Sequence, residues 1–220
     1  DDPRMPTIVG LRRRGYTPAA LRLFCERTGV SKSNSRIDYS LLEQALREDQ
    51  DPVAQRSVAI LDPVKLVITN FPADKTEPCQ APRNPHDPDA GVRNFPFTRE
   101  LWIEREDFTE NPPKKYFRLF PGNKVRLKYG YVVTCTGCIK DADGRVTEVH
   151  AEYDPSTKSG TDGANLVKVK GTITWVSATH AVQAEIRLYD RLFSQPFPDA
   201  GDADFLASLN PQSRQVVQGW

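Results

Sequence analysis

The sequence predicts an α+β protein: a short helical subdomain followed by antiparallel β-barrels, the second of them incomplete within these residues. Three observations carry this expectation. The first sixty residues combine helix caps with apolar positions at helical spacing. From residue 64 onward, β-rich runs are separated by turn clusters. No helix-length pattern lies between those runs, which argues against crossover-linked parallel strands and for a barrel or sandwich.

The helical part reads in order. Thr7 can N-cap a helix running through Arg14, with Gly15 at the left-handed position that ends it. Thr17-Pro18 is a cap followed by proline at the first helical position; Leu21, Phe24 and Cys25 follow at helical spacing, and Gly29 closes the element. Ser40 to Glu43 has capping-box form and leads through Leu41, Leu42, Ala45 and Leu46. Asp51-Pro52 opens a fourth short helix.

The strand part begins with VKLVITNF (64–71) and continues with ELWIE (100–104), KVRLKYGYVVTC (124–135), RVTEVHAEY (145–153), VKVKGTITWV (167–176) and AEIRLYDRLF (184–193). Asp141-Ala-Asp-Gly144 joins two of them as a hairpin. Residues 72–96 hold six prolines and no periodicity, so they are expected to form a long loop; residues 154–165 form a second, polar one. The expected division is 1–60 helical, 61–170 first barrel and 171–220 the start of the second.

The 220 residues, 38% hydrophobic and 27% charged, suit one or two globular domains. No apolar run approaches membrane-spanning length, and no signal-peptide pattern opens the chain. Four irregularly spaced cysteines do not make a disulfide framework, so a reducing, cytoplasmic location is expected. The net charge is only +1, but it is unevenly spread. Residues 1–36 carry eight basic and three acidic groups, and residues 111–131 carry six basic groups and no acid. Two basic patches on a nearly neutral chain predict a polyanion contacted at two places.

Within the second patch, Val125, Leu127, Tyr129 and Tyr131 alternate with Arg126, Lys128 and Gly130, which puts apolar side chains on one strand face and cations on the other. Upstream, Lys114, Lys115 and Arg118 interleave with Tyr116, Phe117 and Phe120. Such aromatics can stack on unpaired bases, although core packing is the stronger reading for Tyr129 and Tyr131. In the first patch, Arg12, Arg13 and Arg14 suit phosphate contact or a solvated basic helix end equally well; at about 100° per residue, one or two of them can face RNA together.

Other constellations carry less. Cys135-Thr-Gly-Cys138 is one half of a zinc motif without its partner, in a predicted strand where residues three apart face opposite ways, so no zinc is expected. The histidines His86, His150 and His180 are scattered, with His86 in the Pro-rich loop the one placed to approach RNA. Asp1-Asp2 is read as ion pairing plus loop stiffening in preference to a metal or acid–base pair.

DDPRMPTIVGLRRRGYT (1–17), DPVKLVITN, KVKGTITWVSATHA and EIRLYDRLF resemble, in order and along nearly the whole chain, the segment that follows the ATP-site signature loop in the glutaminyl branch of class I aminoacyl-tRNA synthetases and in its close glutamyl relatives. The resemblance implies a nucleotide-binding fold with HIGH-type and KMSKS-type motifs before Asp1 and a last barrel that continues beyond Trp220. It makes these residues the tRNA-gripping part of an enzyme that attaches glutamine to tRNA(Gln). ATP, Mg2+ and L-glutamine would be bound outside the segment, which itself holds no catalytic residue. A monomer without membrane attachment is expected. Alternatives are a glutamyl-tRNA synthetase of archaeal or eukaryotic type and a non-catalytic RNA-binding module.

The resemblance also implies site residues. Arg118 aligns with an arginine at the third anticodon base and Arg126 with one at the first. Arg56 aligns with an arginine at the middle base and Lys32 with a lysine near the inner tRNA surface, where Arg12, Arg13 and Arg14 also belong. Asp1, Asp2, Pro3 and Arg4 become the linker from the catalytic loop. Two positions depart from the pattern: Phe117 stands where a lysine is expected, and Lys128, still assigned to the anticodon site, where an arginine is expected.

Overall fold

Burial alternates along VKLVI: Val64, Leu66 and Ile68 are inside, while Lys65 and Val67 on the other face are half-buried. That strand, β1 (Pro63–Ile68), anchors the barrel in the computed structural model, which describes residues 2–33, 35–198, 200 and 204–220. Asp1 lies outside the described residues. The chain divides into two units, residues 1–55 with 187–216 and residues 56–186 with 217–220.

The first unit contains the three helices. Thr7 caps α1 (Ile8–Arg13) by accepting from the Gly10 amide, and Gly15 follows at φ +91°. Thr17 caps α2 (Pro18–Thr28) by accepting from Ala20, with Gly29 at its end. α3 (Tyr39–Gln50) starts one residue before Ser40, because the Asp38 carboxylate takes the Ser40 amide and serves as the cap. Leu11, Tyr16 and Leu42 form the small core, with Leu21, Phe24 and Leu46 against it. The expected fourth helix is a turn at residues 51–53. Gly10 is required by packing: a Cβ there would lie 2.4 Å from the Met5 carbonyl and 2.6 Å from that of Asp2, so the helix rests on the linker.

The second unit is a mixed, mostly antiparallel seven-stranded sheet, nearly closed as a barrel. Its order is β8-β5-β6-β7-β1-β4-β9, where β4 is Glu100–Glu104, β5 Lys124–Leu127, β6 Val132–Lys140, β7 Val146–Asp154, β8 Gly171–Ile173 and β9 Trp175–Ser177. Two pairings, β1 with β7 and β5 with β8, are parallel, which the antiparallel expectation did not contain. β8 and β9 are separated by Thr174 alone, yet one pairs with β5 and the other with β4 at the opposite end of the order. A single bent segment thus supplies both end strands of the sheet and leaves it nearly closed. Leu66, Leu101, Ile103, Val125 and Leu127 fill the interior, and Phe97 packs edge-on against Phe71 and Trp175 with ring centroids 5.0 and 5.3 Å apart.

Three expectations change here. The stretch 72–96 is largely a hairpin, not a loop: β2 (Glu77–Asn84) pairs antiparallel with β3 (Asp87–Phe97). KVRLKYGYVVTC is two strands, not one, because the chain turns back at Lys128–Gly130 with Tyr129 at φ +60°. A register shift between Cys135 and Gly137 gives those cysteines the partners Ala151 and Val149, two residues apart, so they share a face. Cys135 is buried and Cys138 packs beside the core. The remaining strands, β10 (Ala184–Tyr189) and β11 (Arg214–Gly219), pair as a ribbon.

Candidate nucleic-acid interface

In the barrel unit, the β5–β6 turn, the β2–β3 hairpin and the closing strand border a cavity of about 630 Å³. Arg56, Arg93 and Lys128 bring cations to it, Tyr129 and Trp175 bring rings, and His180 lies at its wall. Each is held by local geometry. Trp175 donates its indole N–H to the Lys128 carbonyl at 3.0 Å. The left-handed backbone of Tyr129 is a conformation that a bulky side chain adopts at a cost of order 1–3 kcal/mol, and here its ring forms part of the cavity lining. The Lys128 ammonium stands 5.6 Å from the Tyr129 ring centroid. His180 Nδ1 is 3.0 Å from the Ser177 hydroxyl, which is 2.8 Å from that of Thr98. Trp175 is buried, its ring centroid 5.3 Å from those of Phe95 and Phe97, and Tyr129 is half-buried, so Tyr129 is the ring that offers a base a stacking partner while the cations take its phosphate by charge.

Arg118 lies outside this cavity, between a 3-10 turn at Arg105–Asp107 and β5. Its Nη1 is 2.7 Å from Glu106 Oε1 and 3.1 Å from Asp107 Oδ1. The Arg118 side chain keeps 43% of its surface exposed, while that of Asp107 retains 9%. Burial pushes the Asp107 carboxyl up to about 6 against the opposing pull of Arg118. Gly171 supports this segment from behind: a Cβ there would lie 1.6 Å from the Phe117 carbonyl.

Arg126 is committed to its own protein. Nη1 donates to the Thr157 carbonyl at 2.9 Å and to the Ser159 hydroxyl at 3.3 Å, and Nη2 donates to the Ala164 carbonyl. It clasps the polar loop 154–165 onto the barrel, a job the strand alternation did not reveal.

In the helical unit, Arg12 and Arg13 are exposed and Arg14 is half-buried. Arg14 donates to the Tyr39 hydroxyl at 2.9 Å and lies over the Tyr16 and Tyr39 rings, so it stabilises the helix packing. Arg13 borders, with Arg187 and Arg214, a hollow of about 240 Å³ beside Asp2 and Pro3. Lys32 is exposed on the segment after α2. Arg4 grips Asp2 with two nitrogens, at 3.0 and 2.6 Å, and reaches Ser213 Oγ at 2.8 Å. That pairing holds the Asp2 carboxyl far below the usual range.

Residues 54–154 match the family model for the anti-codon binding domain of class I tRNA synthetases for glutamate and glutamine, and residues 172–220 match a second model of the same description. The chain belongs to this family of anticodon-binding domains. It is 74% identical to the glutamine–tRNA ligase of Bordetella pertussis, 67% to that of Ralstonia nicotianae and 64% to that of Cupriavidus necator, in each case over all 220 residues. The chain spans 38% of the length of these curated relatives.

Within the anticodon-binding domain, the fold brings together two of the four barrel residues named from the sequence, Arg56 and Lys128, and leaves Arg118 and Arg126 elsewhere. Sequence reasoning missed Arg93, whose guanidinium lies 5.4 Å from the Phe95 ring centroid, and His180. Their one local signal was position: each sits in or beside a strand now seen to border the cavity. His86 lies at the tip of the β2–β3 hairpin, where its amide donates to Asn84 Oδ1. Among the described residues, no group of three His, Cys, Asp or Glu side chains could hold a metal ion, and no helix is long and apolar enough to cross a membrane.

Proposed function

We propose that this chain is the tRNA-gripping portion of a glutamine–tRNA ligase. The observation that carries the reading is the cavity where Arg56, Arg93 and Lys128 meet Tyr129 and Trp175. Cationic and aromatic groups in one concave site suit an unpaired anticodon base better than a duplex backbone. In this reading Arg56 serves the middle base and Lys128 the first. Arg126 acts on the first base through the loop it clasps, and Arg118 reads the third. Arg12, Arg13, Arg14 and Lys32 serve the inner surface of the tRNA, with Asp2, Pro3 and Arg4 as the linker; Asp1, lying outside the described residues, completes it.

The proposed division remains 1–60, 61–170 and 171–220, although β8 and β9 within the last part pair into the sheet of the first barrel. The substrate tRNA is tRNA(Gln). The names of the relatives support glutamine over glutamate and an enzyme over a free-standing RNA-binding module. ATP, Mg2+ and L-glutamine are assigned to the rest of the full-length protein, because neither ATP-site signature occurs in this sequence. Four free cysteines suit a cytoplasmic protein, here read as a monomer. The test is aminoacylation by the full-length protein with glutamine or glutamate. Glutamine charging that loses kcat/KM when Arg56 or Lys128 becomes alanine supports the reading; glutamate charging, or full activity in both variants, overturns it.

A further inference from the structure

Arg118 is held by two carboxylates of opposite character. Both contact the same nitrogen, Nη1, at 2.7 Å for Glu106 and 3.1 Å for Asp107. Glu106 has 74% of its side-chain surface exposed and Asp107 only 9%. The Asp107 carbonyl accepts from the Leu119 amide at 2.9 Å, and Phe108 pairs with Leu119 in an isolated bridge, so Asp107 is tied to the backbone that presents Arg118. Glu106 is tied by its backbone alone, its carbonyl accepting from the Tyr116 hydroxyl at 2.9 Å.

From this asymmetry we infer that Glu106 is an exchangeable partner occupying one prong of Arg118 until a base edge replaces it, while Asp107 is the fixed partner that aims the guanidinium. The inference rests on the reading that Arg118 recognises the third anticodon base. A guanine offers two acceptors, O6 and N7, to the guanidinium fork and can take over the donor that Glu106 holds. Cytosine presents its exocyclic amine there, a donor that cannot displace a carboxylate from arginine, so the Glu106–Arg118 pair stays closed beside it. Glu106 therefore lowers the affinity for a G-ending anticodon and leaves that for a C-ending one unchanged. Asp107 is a positioning residue: it touches Arg118, not the RNA.

An exposed ion pair is worth about 0.2–1 kcal/mol, so removing the competitor should tighten binding by about 1.5- to 5-fold. The test measures the Kd of the full-length protein for two tRNA transcripts that differ only in a third anticodon base of G or C. Glu106→Gln should tighten the G transcript within that range and leave the C transcript unchanged. In an Arg118→Ala background the same change should have no effect on either. Asp107→Asn should weaken the G transcript and spare the C transcript; a general loss of structure would weaken both. If Arg118→Ala weakens both transcripts equally, the reading of Arg118 fails and the inference falls with it. If Arg118→Ala discriminates but Glu106→Gln changes nothing, or tightens binding equally without Arg118, the reading stands and the inference alone is overturned.

Discussion

Replacing Arg126 with methionine should loosen one loop without unfolding the barrel. The guanidinium makes three contacts to that loop: the Thr157 carbonyl at 2.9 Å, the Ser159 hydroxyl at 3.3 Å and the Ala164 carbonyl. A hydrogen bond from a charged group contributes about 1.5–3 kcal/mol net, the three share one donor group, and one is long. Methionine keeps much of the stem packing. A loss of about 2 kcal/mol is therefore expected, which raises the local opening constant by about 30-fold. The reporters are amides that depend on the loop: Val132, which donates to Thr157 Oγ1, and Ser159, which donates to the Gly130 carbonyl, both at 2.9 Å. Their hydrogen exchange should accelerate about 30-fold, while that of Thr69, bonded to Ala151 across β1 and β7, should not change. Unchanged exchange at Val132 and Ser159, with tRNA affinity still reduced, would refute the clasp and make Arg126 a direct reader.

Asp107 should titrate near 6, because burial outweighs the pull of Arg118 and nearby Glu106 and Glu104 add to the rise. Its folded carboxyl holds the proton more tightly than the unfolded chain does. The associated stability, about 3 kcal/mol, is present below pH 3.8 and is lost as the pH rises through 6. Carbon-13 NMR of the carboxyl checks this, and Arg118→Ala should move the value higher still; a fall would contradict the assignment of cause. Gly171→Ala should lower the melting temperature by the equivalent of about 1–3 kcal/mol, because its Cβ would collide with the Phe117 carbonyl. The same variant should blunt discrimination at the third anticodon base, since Phe117 precedes Arg118; an unchanged melting temperature would mean the strand moves freely.

The helices were legible because threonine caps and glycine stops act locally, within a turn or two of chain. The start of α3 was less so, since Asp38 and Ser40 are both good caps and Tyr39 decides between them: its ring packs under Arg14 and Arg191, with centroid distances of 5.7 and 4.4 Å. The β2–β3 hairpin was hidden by proline. Prolines are excluded from central strands but tolerated at edges, and a two-stranded ribbon consists of edges, so Pro78 can stand opposite Pro96. The turn at Tyr129 was hidden for the opposite reason: a tyrosine in the left-handed region carries no propensity signal. The cysteine pair was misjudged because a bulge resets the two-residue period on which facing arguments depend.

The candidate site was legible in part. Charge clustering pointed to Arg118, Arg126 and Lys128, but nothing local tells whether a guanidinium on a strand faces solvent or binds carbonyls thirty residues on. Arg56 and Lys128 meet only through barrel closure, which also brings in Arg93 and His180 from two further segments. Such a meeting is set by sheet order and register, and a linear pattern does not contain it.

A crosslink reads out whether the barrel cavity seats the middle anticodon base. A tRNA(Gln) transcript carrying 4-thiouracil at that position is irradiated on the full-length protein, and the adduct is mapped by mass spectrometry. The expected adduct lies within the cavity lining, on Tyr129, Trp175 or the Phe95–Pro96 stretch, and is lost when Arg56 and Lys128 are both alanine. An adduct confined to the helical residues 1–55, or one on the barrel that survives that double change, would contradict it.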